Sequence, residues 1–267
     1  MISLLFGCKT VVVLPNVKYN QYEIGKSVSY NKDTLNIKLE NPLHCPLRVW
    51  FFSSDEQTQK EFDKIIPITL NSVSDTIVSF VNVQKKDEKI RFSSRLGDIS
   101  KKIENIKLDL PFSKNRKHTI TQENNTNFTH NSDWSRFALD FDLKTNDTIC
   151  SATDGFVVGV VDKYKYSGKG SEWKPYANYL TIYEPTSGIF TQYVHLVENG
   201  SLVKIGEKVK RGQKIALSGN TGQSTEEHLH FSALIPVNNE DGLKSKPIEF
   251  VGGIKAINIK KGEVLKK

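Results

Sequence analysis

The chain has 267 residues, of which 25% are charged and 37% hydrophobic, a balance typical of a globular protein rather than a disordered one. No apolar run approaches the roughly 20 residues that a membrane-spanning helix needs. The 37 Lys and Arg residues against 30 Asp and Glu give a net charge of +7. This excess favours anionic partners such as a cell wall, a lipid surface or nucleic acid, with a solvated lysine-rich surface as the alternative.

The first 22 residues are expected to form an N-terminal segment. Residues 1–8, MISLLFGC, end like a bacterial lipoprotein signal, with the small Gly7 directly before Cys8. The charged start of such a signal is missing and its apolar stretch is short. Two interpretations therefore stand: a truncated lipoprotein signal with a lipidated Cys8 and a tether behind it, which we favour, or a plain apolar N terminus.

Cysteines are few, and they argue against two kinds of site. Cys8, Cys45 and Cys150 are the three cysteines, and none forms a CxxC pair, which excludes a thiolate zinc finger. The odd count argues against a disulfide framework.

Residues 23–107 predict an accessory β-sandwich. Short runs in which apolar and polar residues alternate occur at residues 34–39, 47–52, 77–81 and 89–92. A period of two indicates strands with one buried and one exposed face. Short strands at this spacing are typical of an immunoglobulin-like sandwich.

Residues 108–252 predict a second, antiparallel β domain, entered through the junction LDLPF at residues 108–112. A polar loop rich in Asn and Thr spans residues 122–135, and loops of this length often serve function. No long helix is predicted, and residues 253–267 are expected to be a basic C-terminal tail. Strands are predicted at residues 137–143, 155–161, 179–183, 190–195, 214–218 and 228–234.

The sequence His228-Leu229-His230 is the first candidate for a site. On a strand, the period of two places both imidazoles on one face and leaves Leu229 and Phe231 for the core. This spacing offers two nitrogens to one small volume. The alternative is a pair of surface histidines.

Several segments around this pair resemble the lysostaphin/LytM-type zinc metallopeptidases, in the order that the family has them. They are NTGQSTEEHLHF at 220–231, similar to GNTGxSxxxHLHF; YVHL at 193–196, similar to YxHL; IGEKVKRGQKI at 205–215, similar to GxxVxxGQxI; and ALDF at 138–141 with ATDG at 152–155, similar to AxDF and AxxDG.

The resemblance implies a zinc site held by a histidine, an aspartate and the second histidine of the HxH sequence. Asp140 and His230 match the last two ligands. In familiar members the first ligand lies four residues before the aspartate, where this chain has Arg136. Another subset carries a Ser-His pair further upstream, which the Thr-His pair ending at His130 resembles. We therefore assign His130 as the first ligand, with His118 as the fallback.

The resemblance also implies two catalytic histidines, His195 and His228, which match the family's non-ligand histidines. Three protein ligands leave a zinc position open for water, whose pKa the metal lowers. One histidine can take a proton from this water, and the other can stabilise the oxyanion or protonate the leaving amine. The sequence leaves these two roles unassigned. Glu226 and Glu227 are interpreted as loop residues.

The expected function is that of a zinc metalloendopeptidase acting on peptidoglycan stem peptides or crosslinks in the bacterial cell envelope. The protein would be periplasmic, an outer-membrane lipoprotein or secreted. One alternative is a non-catalytic LytM-like envelope protein that scaffolds or activates other wall hydrolases. Nucleic-acid binding is not expected, because no recognisable motif or arginine stripe supports it. The aromatic residues expected either to wall the substrate groove or to pack are Trp134, Tyr166, Trp173 and Tyr176.

Overall fold

The computed structural model describes residues 13–83, 89–127 and 129–267. The prediction of a lipidated Cys8 lies outside these residues. The described part is mostly β, as predicted. Within it, no helix is long and apolar enough to cross a membrane.

The N-terminal part consists of two three-stranded antiparallel sheets and one short helix. The sheet orders are β1-β2-β5 and β4-β3-β6. The helix begins after Asp55, whose carboxylate accepts a hydrogen bond from the Thr58 amide and so caps it. The elements are β1 Gly25–Asn31, β2 Thr34–Asn41, β3 Leu47–Phe52, α1 Glu56–Asp63, β4 Ile68–Leu70, β5 Ser74–Phe80 and β6 Arg91–Leu96.

All four strands predicted in this part overlap observed strands, whereas helix α1 was not predicted. The helix is eight residues long and buries only Thr58 and Phe62, so its sequence carries little helical periodicity. The two sheets share an apolar core to which β2 contributes Leu35, Ile37 and Leu39. The immunoglobulin-like arrangement of these strands stays a prediction.

The second part is built on one nine-stranded sheet with a three-stranded sheet beside it. The main order is β16-β11-β13-β14-β19-β9-β8-β23, with β20 also paired to β19, and the smaller order is β10-β17-β15. Its strands are β7 Lys107–Leu108, β8 Lys117–Gln122, β9 Leu139–Phe141, β10 Thr148–Cys150, β11 Gly155–Val161, β12 Ser167–Gly168, β13 Tyr179–Glu184, β14 Ile189–Val194, β15 Leu196–Ser201, β16 Lys208–Val209, β17 Lys214–Ser218, β18 Gly222–Gln223, β19 Leu229–Pro236, β20 Leu243–Lys246, β21 Glu249–Phe250, β22 Ile254–Lys255 and β23 Val264–Lys266. Short 3-10 helices span Ser171–Tyr176 and Ala256–Asn258.

The main sheet is covered on both faces, which explains why β11 is apolar almost throughout. Val157 packs in a core that lies within the second part, here called the inner core. Val158, the next residue, packs in the core that is shared with the N-terminal part. Strand β19 divides its side chains in the same way. Phe231 packs in the inner core, while Leu234 packs against the N-terminal part. By alternation, His230 points to the same face as Leu234, four residues away.

A buried arginine joins the two parts. Arg48 of β3 is only 1% exposed. Its guanidinium donates hydrogen bonds to the carbonyls of Leu96, Gly97, Val237 and Gly242. Because the last two carbonyls lie in the β19–β20 connection, Arg48 fixes the accessory part to the strand that carries His230.

Residues 253–267, expected as a basic tail, fold back onto the second part. Strand β23 pairs with β8, placing Leu265 opposite His118. Ala256, Ile259 and Leu265 are buried in the inner core. Apolar residues among the lysines supply the driving force for this packing. The division into domains at residues 108 and 253 stays a prediction.

Candidate metal centre

Two of the predicted ligands face each other across paired strands. Strand β9 pairs antiparallel with β19, and the register places Asp140 directly opposite His230. The Nδ1 atom of His230 lies 3.0 Å from Oδ1 of Asp140. The flanking Leu229 and Phe231 are fully buried in the core. Strand register therefore brings a carboxylate and an imidazole together.

The third predicted ligand, His130, reaches the same point from the loop between β8 and β9. Its Nε2 atom lies 3.2 Å from Nδ1 of His230 and 3.2 Å from Oδ1 of Asp140. The ligand atoms of the three residues all lie within 4.8 Å of one another. The Nδ1 atom of His130 donates to the Glu123 carbonyl at 2.8 Å. Since a carbonyl can only accept, this bond places the proton on Nδ1 and leaves Nε2 facing the cluster.

The two rival positions for the first ligand lie elsewhere. His118 belongs to β8, where its Nδ1 atom is 2.9 Å from Oδ1 of Asp142 and its ring packs on Phe112. Arg136 extends its guanidinium to Asp133 at 3.8 Å. Among the described residues, only His130, Asp140 and His230 form a cluster with metal-ligand spacing.

The electrostatics of the cluster suit a metal ion. Burial alone would raise the pKa of Asp140, but His228 and His130, with hydrogen bonds from His130 and His230, hold that pKa well below its usual value. Burial lowers the pKa of His230 despite the attraction of Asp140. Burial also opposes the charged form of His130, but Asp140 outweighs it and raises that pKa. These directions favour an ionised Asp140 carboxylate and a neutral His230 imidazole, and both of these states can bind a cation.

This donor set fits zinc. Two imidazoles and one carboxylate are a common ligand set of catalytic zinc sites, which keep one position open. His130 is fully buried, and the side chains of Asp140 and His230 are 6% and 12% exposed. The hydrogen bond from His130 to a backbone carbonyl is the kind of supporting contact that metal-bound histidines usually make.

The remaining two predicted residues, His195 and His228, lie beside the cluster. Their ring centroids are 4.5 Å apart, and Nε2 of His228 is 3.7 Å from Oδ2 of Asp140. The Nδ1 atom of His195 donates to the Thr221 carbonyl at 2.7 Å, and that of His228 to the Glu226 carbonyl at 2.8 Å. Among the described residues, no backbone group bonds to Nε2 of either histidine.

The environment of His195 keeps its imidazole neutral. Burial, followed by repulsion from His228 and His230, lowers the pKa of His195 to about 3. A neutral imidazole with its proton on Nδ1 carries a lone pair on Nε2 and can accept a proton there.

Sequence reasoning missed the polar network that holds His195. Asn178 is fully buried, and its side chain exchanges hydrogen bonds with the backbone of Tyr164 and donates to the Leu196 carbonyl. The backbone N–H of Asn178 donates to the Thr221 hydroxyl, which in turn donates to the Leu196 carbonyl. The Thr221 carbonyl in turn accepts from His195. The only signal for this network was a lone polar residue before a strand, and that pattern is too common to single out.

The four predicted aromatic residues fall into different environments. Trp173 is 7% exposed and packs on Tyr176, so it serves as a packing residue. Trp134 is partly buried, and its indole N–H donates to Gln192 on the main sheet at 3.1 Å. Tyr166 is 46% exposed. Its role as a groove wall stays a prediction.

Comparison with known proteins places these residues in a wider context. Residues 135–243 match the family model described as Peptidase family M23. The peptidoglycan DD-endopeptidase ShyB of Vibrio cholerae serotype O1 is 39% identical over 134 residues, which cover 50% of this chain and 26% of ShyB. Lysostaphin of Staphylococcus simulans is 40% identical over 83 residues, covering 29% of this chain and 16% of lysostaphin.

A solved structure of LytU also aligns with the chain. It is 28% identical and covers 49% of this chain and 82% of the LytU chain, with a TM-score of 0.37. The aligned region spans about a quarter of the length of ShyB and less of lysostaphin.

Proposed function

Because the chain carries a Peptidase family M23 domain, homologous to the peptidoglycan DD-endopeptidase ShyB and to lysostaphin, we propose that it is a zinc-dependent endopeptidase. It would hydrolyse peptide bonds in the stem peptides or crosslinks of peptidoglycan. One observation carries this proposal: His130, Asp140 and His230 converge within 4.8 Å, beside His195 and His228.

The substrate class is supported by the names of the relatives. ShyB is named a peptidoglycan DD-endopeptidase, and ALE-1 of Staphylococcus capitis a glycyl-glycine endopeptidase. Both act on peptides, but they are named for different bonds, so we propose the substrate class and not one bond. A peptidoglycan substrate implies a location in the cell envelope or outside the cell. Attachment through Cys8 stays a prediction.

Three residues would hold the metal. His130 and His230 supply imidazole nitrogens, and Asp140 supplies a carboxylate. Zinc at this position would polarise the scissile carbonyl and lower the pKa of a water molecule toward neutrality.

His195 and His228 would move protons and stabilise charge. Each ring donates its Nδ1 proton to a backbone carbonyl, and this bond orients Nε2 toward the cluster side of the ring. One ring accepts a proton from the attacking water, and the other stabilises the developing oxyanion or donates a proton to the leaving amine. The two roles remain interchangeable between these rings.

The direct test combines metal analysis with digestion of purified sacculi. We expect one zinc per chain and muropeptide fragments that mass spectrometry assigns to a cleaved peptide bond. His230→Ala should lose both, while His118→Ala, outside the cluster, should keep both. A wild-type chain that is metal-free and inactive contradicts the proposal. A chain that binds zinc but releases no fragments would favour the scaffold alternative.

A further inference from the structure

The loop that carries His130 is attached to the C-terminal segment. Both His130 and residues 253–267 lie outside the matched family segment, residues 135–243. The Asn124 side-chain amide donates to the Ala256 carbonyl at 2.8 Å. The neighbouring Glu123 lies 3.5 Å from Nζ of Lys260. Two adjacent loop residues thus contact the C-terminal segment.

Both contacts lie beside the backbone carbonyl that orients His130, because Glu123 carries this carbonyl and Asn124 is the next residue. The Glu123 carbonyl accepts the hydrogen bond from Nδ1 of His130 at 2.8 Å. Asn124 follows directly and is held by Ala256. A shift of the peptide between Glu123 and Asn124 would therefore rotate or release the His130 ring. The position of the ring depends on what holds this peptide.

The C-terminal segment is firmly anchored. Ala256 and Ile259 are 1% and 3% exposed in the inner core, and the Ala256 amide donates to the Ile248 carbonyl. Further along, Ile120 of β8 donates to the Glu263 carbonyl and accepts from the Gly262 amide. The segment that contacts the loop is therefore itself buried and hydrogen-bonded to the second part.

Elsewhere in the loop, the described side-chain hydrogen bonds join loop residues to one another or to Ser135 and do not reach this segment. Gln122 bonds to Thr129, and the Asn131 side chain donates to the Asn127 carbonyl. On the far side, Ser135 donates to the Thr129 carbonyl at 2.6 Å. Among the described loop residues, Asn124 is therefore the one whose side chain donates a hydrogen bond to residues 253–267.

We propose that residues 253–267 are a brace that positions the metal ligand His130, with Asn124 as the positioning residue. The inference rests on the proposed metal centre. An Asn- and Thr-rich loop loses considerable conformational entropy when it is ordered. Bracing the loop before metal binding removes that cost from the binding step. Contacts outside the ligands typically change metal affinity by about 10- to 100-fold.

The test measures zinc affinity of the full chain by competition with a chromogenic chelator. Asn124→Leu keeps the approximate size of the side chain and removes its donor, and Asn124→Ala is the second variant. Asn131→Leu and Asn131→Ala are matched controls, because Asn131 lies in the same loop and its described side-chain hydrogen bond, to the Asn127 carbonyl, stays within that loop. Circular dichroism first identifies a temperature at which every metal-free variant is folded.

We expect either Asn124 variant to bind zinc about tenfold more weakly than wild type, with the Asn131 variants close to wild type. Unchanged affinity in the Asn124 variants overturns the brace. Equal losses at both positions also overturn it, because they would show that loop order alone matters. A wild-type chain without zinc affinity would instead overturn the metal centre itself, which separates the two failures.

Discussion

The two sides of the candidate metal centre are built in different ways. Asp140 and His230 sit on adjacent strands, and the register of β9 with β19 places them opposite each other. His130 sits on a loop, and its position depends on the Glu123 carbonyl and on contacts with a segment more than a hundred residues away. The strand pair is set by backbone hydrogen bonds, whereas the loop ligand is set by side-chain contacts. We therefore expect the loop side to be the more sensitive one.

The largest effect is expected from removing the loop ligand. His130→Ala should abolish zinc binding and reduce muropeptide release to background, because two ligands remain where catalytic zinc uses three protein ligands. Arg136→Ala is the matched control, since its guanidinium contacts Asp133 and not the cluster. If Arg136→Ala loses zinc and His130→Ala retains it, the assignment of the first ligand is wrong.

Removing a core side chain next to the strand ligand His230 should lower the stability of the fold but leave the metal centre intact. Phe231 is fully buried next to His230 and packs on Tyr193 with ring centroids 5.2 Å apart. Phe231→Ala should reduce the free energy of unfolding by about 3–5 kcal/mol. Zinc affinity, measured where the variant is folded, should stay within about threefold of wild type, since backbone pairing still places His230 opposite Asp140. A large loss of affinity in the folded variant would show that strand register does not protect the strand side.

An intermediate effect is expected at the network around His195. Thr221→Val removes the hydroxyl that accepts a hydrogen bond from the backbone N–H of Asn178 and donates one to the Leu196 carbonyl. We expect kcat to fall by about 10- to 100-fold, with zinc content unchanged because the described hydrogen bonds of Thr221 join Asn178, Leu196 and His195 rather than the metal ligands. Thr221→Ser keeps the hydroxyl and should restore most of the rate. Equal rates for the Val and Ser variants would contradict a positioning role.

The smallest effect concerns pH in the metal-free protein. The pKa of His195 is lowered to about 3 by burial and by its histidine neighbours. Below about pH 6.5, His195 binds a proton in the unfolded chain but not in the folded chain. The contribution of His195 to stability is therefore fully present above about pH 6.5 and declines as the pH falls toward about 3. Between pH 7.5 and 5.5 this residue should cost about 1.4 kcal/mol. Denaturant unfolding of wild type and His195→Gln measures it, and identical pH dependence in the two proteins would exclude this contribution.

The strand pattern was largely predictable, because one face of each strand is buried and the other is exposed. Strands β11 Gly155–Val161 and β17 Lys214–Ser218 match their predicted bounds. Helix α1 was missed because only two of its residues are buried. The packing of residues 253–267 was not predicted because lysines surround the few apolar residues of this segment. A short alternating run forms a strand only where a partner strand is available, and the local sequence does not show that partner.

The sequence by itself determined which residues could carry the chemistry. The HxH spacing predicts that Leu229 is buried and that both histidines share one face. The family resemblance then selects His130, Asp140 and His230 as ligands, with His195 and His228 as the catalytic histidines. Tertiary structure decided what no local pattern encodes. The contact between His130 and His230, the Asn178 network behind His195 and the contact between Asn124 and Ala256 all join segments far apart in the chain. Local periodicity reports only which side of an element is buried, whereas such contacts depend on how the folded chain brings distant loops together.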